Sequence, residues 1–281
     1  MRLKNRTILI TGGTSGMGLE LAKQLLEPGR HNTVIITGRS DEKLEGAKRI
    51  LPGVHTFKSD VGDPAAIELL RDRVLGQFPA LDTLINNAGI MRVQKFNQDQ
   101  EIEDITREIE VCFSGPVRMV QQFIPHLKTC KGALLINVSS GAALVPFPIS
   151  PVYSAAKAAL HSFTESLRVQ MQFTGVSVVE LIPPGVETPL FRSEEFAREM
   201  KVPKGMEARV FAQKAIAGIE AGKLEIRPGL ANVLKVMSRM APGFALKQMG
   251  KMTPAFAAKP VISAGSASTA GNRAVPAGAM E

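Results

Sequence analysis

The sequence has no tryptophan, a single tyrosine (Tyr153) and two cysteines, Cys112 and Cys130. Each scarcity excludes something. Proteins that hold single-stranded nucleic acid stack successive bases on aromatic platforms. A chain this poor in Trp and Tyr offers few of them, so no nucleic-acid partner is expected. Two cysteines build no disulfide framework and lack metal-ligand spacing. The histidines, His31, His55, His126 and His161, are scattered, so no metal centre is expected. Long apolar runs are missing too. Runs such as Ala133–Val138 fall far short of the roughly 20 residues that span a bilayer, and the aromatic belts of such spans are absent. The apolar stretch Ile8–Ile10 runs directly into glycines and is too short for the core of a secretory signal. A cytoplasmic location, where thiols stay reduced, is therefore expected.

What is present suits a soluble globular chain. With 44% hydrophobic and 21% charged residues over 281 positions, it can bury a real core. The net charge of +8 is uneven: six cations face one carboxylate over residues 231–281, a local +5, which leaves only +3 for the first 230 residues. The basicity thus belongs to the C-terminal extension and not to a binding face on the main domain.

Apolar, β-rich runs alternate with helical patterns. Strands are expected at Thr7–Thr11, Thr33–Thr37, Val54–Lys58, Leu81–Asn86, Leu134–Val138 and Val176–Leu181, with a short last strand at Leu224–Ile226. Helices are expected over 17–27, up to Ile50, from Asp63–Pro64 to about Phe78, and over 100–127, 152–173 and 206–220. Asp63 is a natural N-cap and Pro64 a natural first helical residue. Strands apolar throughout, separated by crossover helices, predict an α/β fold with a doubly wound parallel sheet, Rossmann-like, in a single domain over 1–230. A Met-rich, basic, amphipathic extension follows over 231–256, with Val233, Val236, Met237 and Met240 at helical spacing. It is expected to pack on the substrate side or at a subunit contact; weak contact of 231–252 with a membrane surface is the alternative. Residues 257–281, rich in Ala, Gly, Ser and Pro, are expected to be disordered.

The first strand ends in Thr11-Gly12-Gly13-Thr14-Ser15-Gly16-Met17-Gly18 and enters a helix. Glycines let the backbone turn tightly and approach a phosphate, and the helix N-terminus presents free N–H groups. A Walker loop is excluded, because Leu19-Glu20 stand where Lys-Ser/Thr would be required. A dinucleotide is the expected ligand, with Gly12, Thr14, Ser15, Gly16, Met17 and Gly18 in the binding turn. Folds that bind NAD place an acid about 20 residues further on. Here Gly38-Arg39 occupy that point. An arginine suits a 2′-phosphate, so NADP is favoured over NAD.

Thr11-Gly-x3-Gly-x-Gly18, Asn86-Asn-Ala-Gly89, Ser140 and Tyr153-x3-Lys157 together resemble the short-chain dehydrogenase/reductase family over about residues 5–230. Tyr153 and Lys157 are four apart, so they share a helix face. A phenol ordinarily titrates near 10, and bringing it to neutrality takes about 4 kcal/mol. An ammonium about 5 Å away, at an effective dielectric near 20, supplies about 3 kcal/mol.

The resemblance implies the remaining roles. Tyr153 is the general acid/base, Lys157 lowers its pKa and holds the nicotinamide ribose, and Ser140 orients the carbonyl. Asp60 and Val61 contact the adenine, and Asn87, Ala88 and Gly89 line the cofactor, while Asn86 ties the sheet together. Pro183, Val186 and Thr188 belong to a loop clasping the nicotinamide, followed by a substrate lid over 189–205. At Cys112 the family carries an asparagine linked to the lysine through water; the thiol here reads as a buried small apolar residue. The expected function is an NADP-dependent dehydrogenase or reductase of small carbonyl or alcohol substrates, acting as a homodimer or homotetramer. The alternative is a non-catalytic NADP-binding redox sensor or subunit with a vestigial site.

Overall fold

The computed structural model describes residues 1–96, 104–200 and 203–252. The expected tail over 257–281 lies outside the described residues, as do 100–103 of the expected fourth helix and 201–202 of the expected lid. The first half runs β1 (Thr7–Ile10), α1 (Gly16–Leu25), β2 (Thr33–Gly38), α2 (Asp41–Ile50), β3 (His55–Lys58), α3 (Pro64–Gln77) and β4 (Leu81–Asn86). Asp63 caps α3, its Oδ1 accepting from the Ala65 amide at 2.9 Å. A short α4 (Arg107–Ile109) passes through a π-helical turn, Glu110–Ser114, into α5 (Gly115–Leu127). Then come β5 (Leu134–Val138), a 3-10 turn at Gly141–Ala143, α6 (Pro151–Gln170) and β6 (Ser177–Leu181). Two-residue strands β7 (Val186–Glu187) and β8 (Met206–Glu207) flank α7 (Glu194–Glu199). The chain continues through α8 (Ala208–Glu220), β9 (Glu225–Ile226), α9 (Ala231–Met240) and α10 (Pro242–Lys251).

Seven strands form one parallel sheet in the order β3-β2-β1-β4-β5-β6-β9. Successive strand residues point to opposite faces, and here both faces are covered. Ile8, Ile10, Ile36, Ile136 and Leu181 pack under α1 and α8 against Leu21, Leu25, Phe211 and Ile216. Leu9, Ile35, Leu84, Leu135 and Val178 face the other way, onto Ile67, Leu70 and Val74 of α3 and Met119 and Phe123 of α5. Burial on both sides explains why the strands read as unbroken apolar runs. The order reverses between β1 and β4, so the loops after their carboxyl ends diverge and leave a crevice.

Among the described residues, the extension holds two helices; 253–256 lie outside them. The chain breaks at Ala241 (φ −147°, ψ 60°), directly before Pro242, because a proline disfavours helical dihedrals in the residue preceding it. Ala231 and Ala245 face the body, whereas Leu230, Val233, Val236, Met240, Phe244 and Leu246 are exposed. No helix among the described residues is long and apolar enough to cross a membrane.

Candidate active site

A cleft of about 610 Å³ opens over the carboxyl ends of β1, β2, β4 and β5. Its floor is the turn between β1 and α1. Gly12 sits at φ +68°, and a Cβ there would lie 2.8 Å from the Ala88 Cα. At Gly18 a Cβ would lie 2.3 Å from the Gly12 carbonyl oxygen and 2.5 Å from Asn87 Nδ2. No side chain fits at either position, so backbone lines this part of the cleft. Thr11 and Asn87 lock the turn to β4. Thr11 Oγ1 accepts from the Asn87 and Ala88 amides at 3.0 and 3.1 Å, and Asn87 Nδ2 donates to the Thr11 and Gly12 carbonyls at 3.0 and 3.1 Å. Asn87 Oδ1 is buried without a partner among the described residues. A bare, narrow backbone cradle at a helix N-terminus fits the phosphates of a dinucleotide.

Of the expected binding residues, Gly12, Thr14, Ser15, Gly16 and Met17 line the cleft at the turn. Arg39, Asp60 and Val61 line it beyond β2 and β3, and Asn87, Ala88, Gly89, Tyr153, Lys157 and Thr188 line the remainder. Gly18 lies beneath the turn. Pro183 sits behind Ser140, its carbonyl accepting from the Gly141 amide at 2.8 Å. Val186 is buried on β7, paired with Met206. Asn86 ties β4 to β5: its Nδ2 donates to Asn137 Oδ1 at 2.9 Å, and Asn137 Nδ2 donates to Thr164 Oγ1 at 2.9 Å.

The cleft also includes Ser40 and Lys43, which the sequence reasoning passed over. Ser40 caps α2 by accepting from the Lys43 amide at 3.3 Å, which turns the first residues of α2 towards Arg39. A serine N-cap with a lysine three residues on, past the acidic Asp41 and Glu42, was the available signal. Arg39 is 59% exposed and stands 3.9 Å from Asp60 Oδ2, while Asp41 pairs with Lys58 at 2.5 Å and Asp60 with Arg107 at 2.7 Å. The acids near Arg39 are thus largely engaged by other cations.

At the far end stand Tyr153 and Lys157, both nearly buried at 7% and 4% exposure. Ser140 begins the 3-10 turn, its Oγ accepting from the Ala142 amide at 3.1 Å. Lys157 Nζ donates to the Val138 carbonyl at 2.9 Å and lies 5.8 Å from the centre of the Tyr153 ring. The ammonium therefore sits over the ring, held by backbone. Burial pushes the phenol well above its ordinary value near 10, and the Ser140 side chain pulls it down. Burial, and not the Lys157 charge, sets the direction of the shift. Burial likewise lowers Lys157, opposed by the charge of Glu180.

Cys112 lies in the π-helical turn, fully buried, its Sγ donating to the Ile90 carbonyl at 3.3 Å. Burial raises the thiol pKa and keeps it protonated.

A model described as short chain dehydrogenase matches residues 6–199. An oxidoreductase of Bacillus subtilis (strain 168), described as uncharacterized and called DltE, is 42% identical over 227 residues, covering 80% of this chain and 89% of that protein. A short-chain dehydrogenase of Burkholderia cenocepacia J2315, solved with NADP, superposes with a TM-score of 0.76 at 25% identity over 89% of this chain and 99% of that one. The 3-ketoacyl-(acyl-carrier-protein) reductase of Brucella melitensis, solved with NADH, gives 0.70 at 26% identity over 82% and 99%. The glycine turn at the switch point, the Ser140–Tyr153–Lys157 cluster and a family match over most of the chain show that it belongs to the short-chain dehydrogenase/reductase family.

Proposed function

We propose that the protein is an NADP(H)-dependent oxidoreductase that interconverts a small carbonyl compound and its alcohol, with Tyr153 as general acid/base. One observation carries this reading: the chain's only phenol stands in the glycine-floored cleft beside the buried Lys157, whose ammonium lies 5.8 Å from the phenol ring's centre. A bound nicotinamide dinucleotide supplies or accepts the hydride. The chain's own residues handle the proton and the geometry. Tyr153 Oη gives its proton to the carbonyl oxygen in reduction and takes it back in oxidation. Ser140 Oγ orients that oxygen and stabilises the charge developing on it. Lys157 keeps a cation beside the phenol and offers further N–H donors to a ribose. Asn87, Ala88, the Gly12–Met17 backbone and Thr188, which all line the cleft, would hold the dinucleotide.

Arg39, Ser40 and Lys43 support NADP over NAD. Two cations and a hydroxyl gathered at the end of β2 match a phosphate dianion, whereas a ribose 2′-hydroxyl calls for a carboxylate there. A cytoplasmic homodimer or homotetramer completes the proposal, supported by the family resemblance. A panel of carbonyl compounds assayed with NADPH and NADH side by side tests it. Turnover favouring NADPH is expected. Faster turnover with NADH would remove the Arg39 argument, and cofactor binding with no turnover at all would favour a non-catalytic, vestigial site.

A further inference from the structure

Glu180 has no part in the chemistry above, yet it is fully buried in β6 between Val179 and Leu181. A buried carboxylate is costly unless paired, and replacing a buried ion pair by apolar residues is often neutral or stabilising. Its partners form a line. Ser139 Oγ, at the end of β5, donates to Glu180 Oε1 at 2.6 Å. On the other side His161 Nδ1 lies 2.9 and 2.8 Å from Glu180 Oε1 and Oε2. His161 Nε2 lies 3.8 Å from Oε1 of Glu165, whose side chain is 51% exposed. Ser139 also lines the cleft that holds Tyr153 and Lys157. A row of proton-exchanging groups thus runs from the cleft, between the sheet and α6, towards solvent. Tyr153, Lys157, His161 and Glu165 follow one another at four-residue intervals along α6, so one helix face carries both ends of the row.

We propose that Ser139, Glu180 and His161 form a proton relay between the reaction cleft and solvent; the proposal rests on the acid/base role assigned to Tyr153. In reduction Tyr153 loses a proton that must be replaced. His161 takes a proton at Nε2 from Glu165 or water and releases the one on Nδ1 to the Glu180 carboxylate. Protonated Glu180 passes it to Ser139 Oγ as Ser139 gives its own hydroxyl proton to water in the cleft, and that water returns a proton to the Tyr153 phenolate. Only O–H and N–H bonds form and break, no electrons are exchanged, and oxidation runs the same steps backwards. Cys112 offers no competing route, because its protonated thiol is committed to the Ile90 carbonyl.

The groups facing His161 suit this task. They are Glu165 and Lys157 on α6, Glu180 on β6, and Glu225 on β9, itself paired with Arg227 and with Lys235 of α9. The Glu180 hydrogen bond raises the imidazole above its ordinary 6.5 against the opposing effect of burial, and the charges of Glu180, Glu165 and Glu225 add to the rise.

The test compares the wild type with His161→Gln, Glu180→Gln and His161→Ala. Carbonyl reduction with NADPH is followed across pH, and NADPH affinity and the melting temperature are measured beside it. Both Gln variants are expected to lose turnover on the order of tenfold, less than the 10²–10⁴ of a direct acid/base group, and to lose the pH dependence that His161 imposes, with NADPH affinity unchanged. Added imidazole is expected to restore His161→Ala. Without any turnover, NMR titration of the His161 ring is expected to show a midpoint above 6.5 that falls in Glu180→Gln. An active wild type whose Gln variants keep its rates and pH profile overturns the relay alone. So does a His161→Ala protein that imidazole fails to restore, or a His161 midpoint indifferent to Glu180→Gln. A wild type that reduces no carbonyl overturns the proposed reaction and the relay with it.

Discussion

The proton-carrying phenol is held by burial more than by charge. Spacing alone put Lys157 on the face of Tyr153 and suggested that its ammonium brings the phenol towards neutrality. The structure keeps both on one face but ties Nζ to the Val138 carbonyl, over the ring, so desolvation dominates and the phenol is raised. Where a side chain's charged tip ends is set by backbone groups of β5, which no spacing along α6 encodes. With no tryptophan and no second tyrosine, ultraviolet titration reports Tyr153 alone. The folded protein is expected to keep its phenol protonated past the ordinary value near 10. On adding NADP⁺, whose nicotinamide ring is cationic, the midpoint should move down; an unmoved midpoint would contradict the acid/base role. Arg39 is the second test at this scale. Arg39→Ala is expected to weaken NADPH binding about 10- to 100-fold, or about 1.4–2.8 kcal/mol, and to leave NADH binding unchanged in a fluorescence titration.

The elements that were readable are those whose burial imposes a pattern. β1, β2, β4, β5 and β6 are buried on both faces and stand out as apolar runs, and α3 is marked by Asp63 and Pro64. The glycine turn was legible for the same reason, since only glycine tolerates its contacts. Gly18→Ala would force a Cβ against the Gly12 carbonyl. It is expected to cost about 1–3 kcal/mol, read as a melting point lower by several degrees and as weakened NADPH binding. β7, β8 and α7 were not legible. Two-residue strands have no period, and six residues of α7 fit any amphipathic loop. Side-chain chemistry holds this segment: Glu187 pairs with Arg192 and accepts from the Gly205 amide at 2.5 Å, which holds the Glu187 carboxyl at about 2. A depressed carboxylate contributes fully above its ordinary value near 4.5, and the contribution is lost as pH falls towards about 2. Protection of the Gly205 amide from hydrogen exchange is therefore expected to fall over that window, and in Glu187→Gln to be weaker at neutral pH with no such transition.

For the whole molecule, the strand order decides where chemistry can occur. Reversal between β1 and β4 brings the glycine turn, Asn87–Gly89, the Ser139–Ser140 corner and α6 to one edge of the sheet. Alternating apolar strands and helices with right-handed crossovers made that order predictable. The partners across the sheet were not predictable. Glu180 and His161 lie 19 residues apart and meet only because α6 packs on β6. The +8 net charge, concentrated beyond residue 230, leaves the body close to neutral, in keeping with a small-molecule substrate. The central claim is that Tyr153 moves the proton in a hydride-transfer reaction. Its most direct test measures NADPH oxidation by wild type and Tyr153→Phe with the carbonyl compound that the wild type reduces fastest, with NADPH affinity determined for both. The account predicts a loss of about 10²–10⁴-fold or more in turnover at unchanged NADPH affinity. A Tyr153→Phe protein that turns over at the wild-type rate would contradict it.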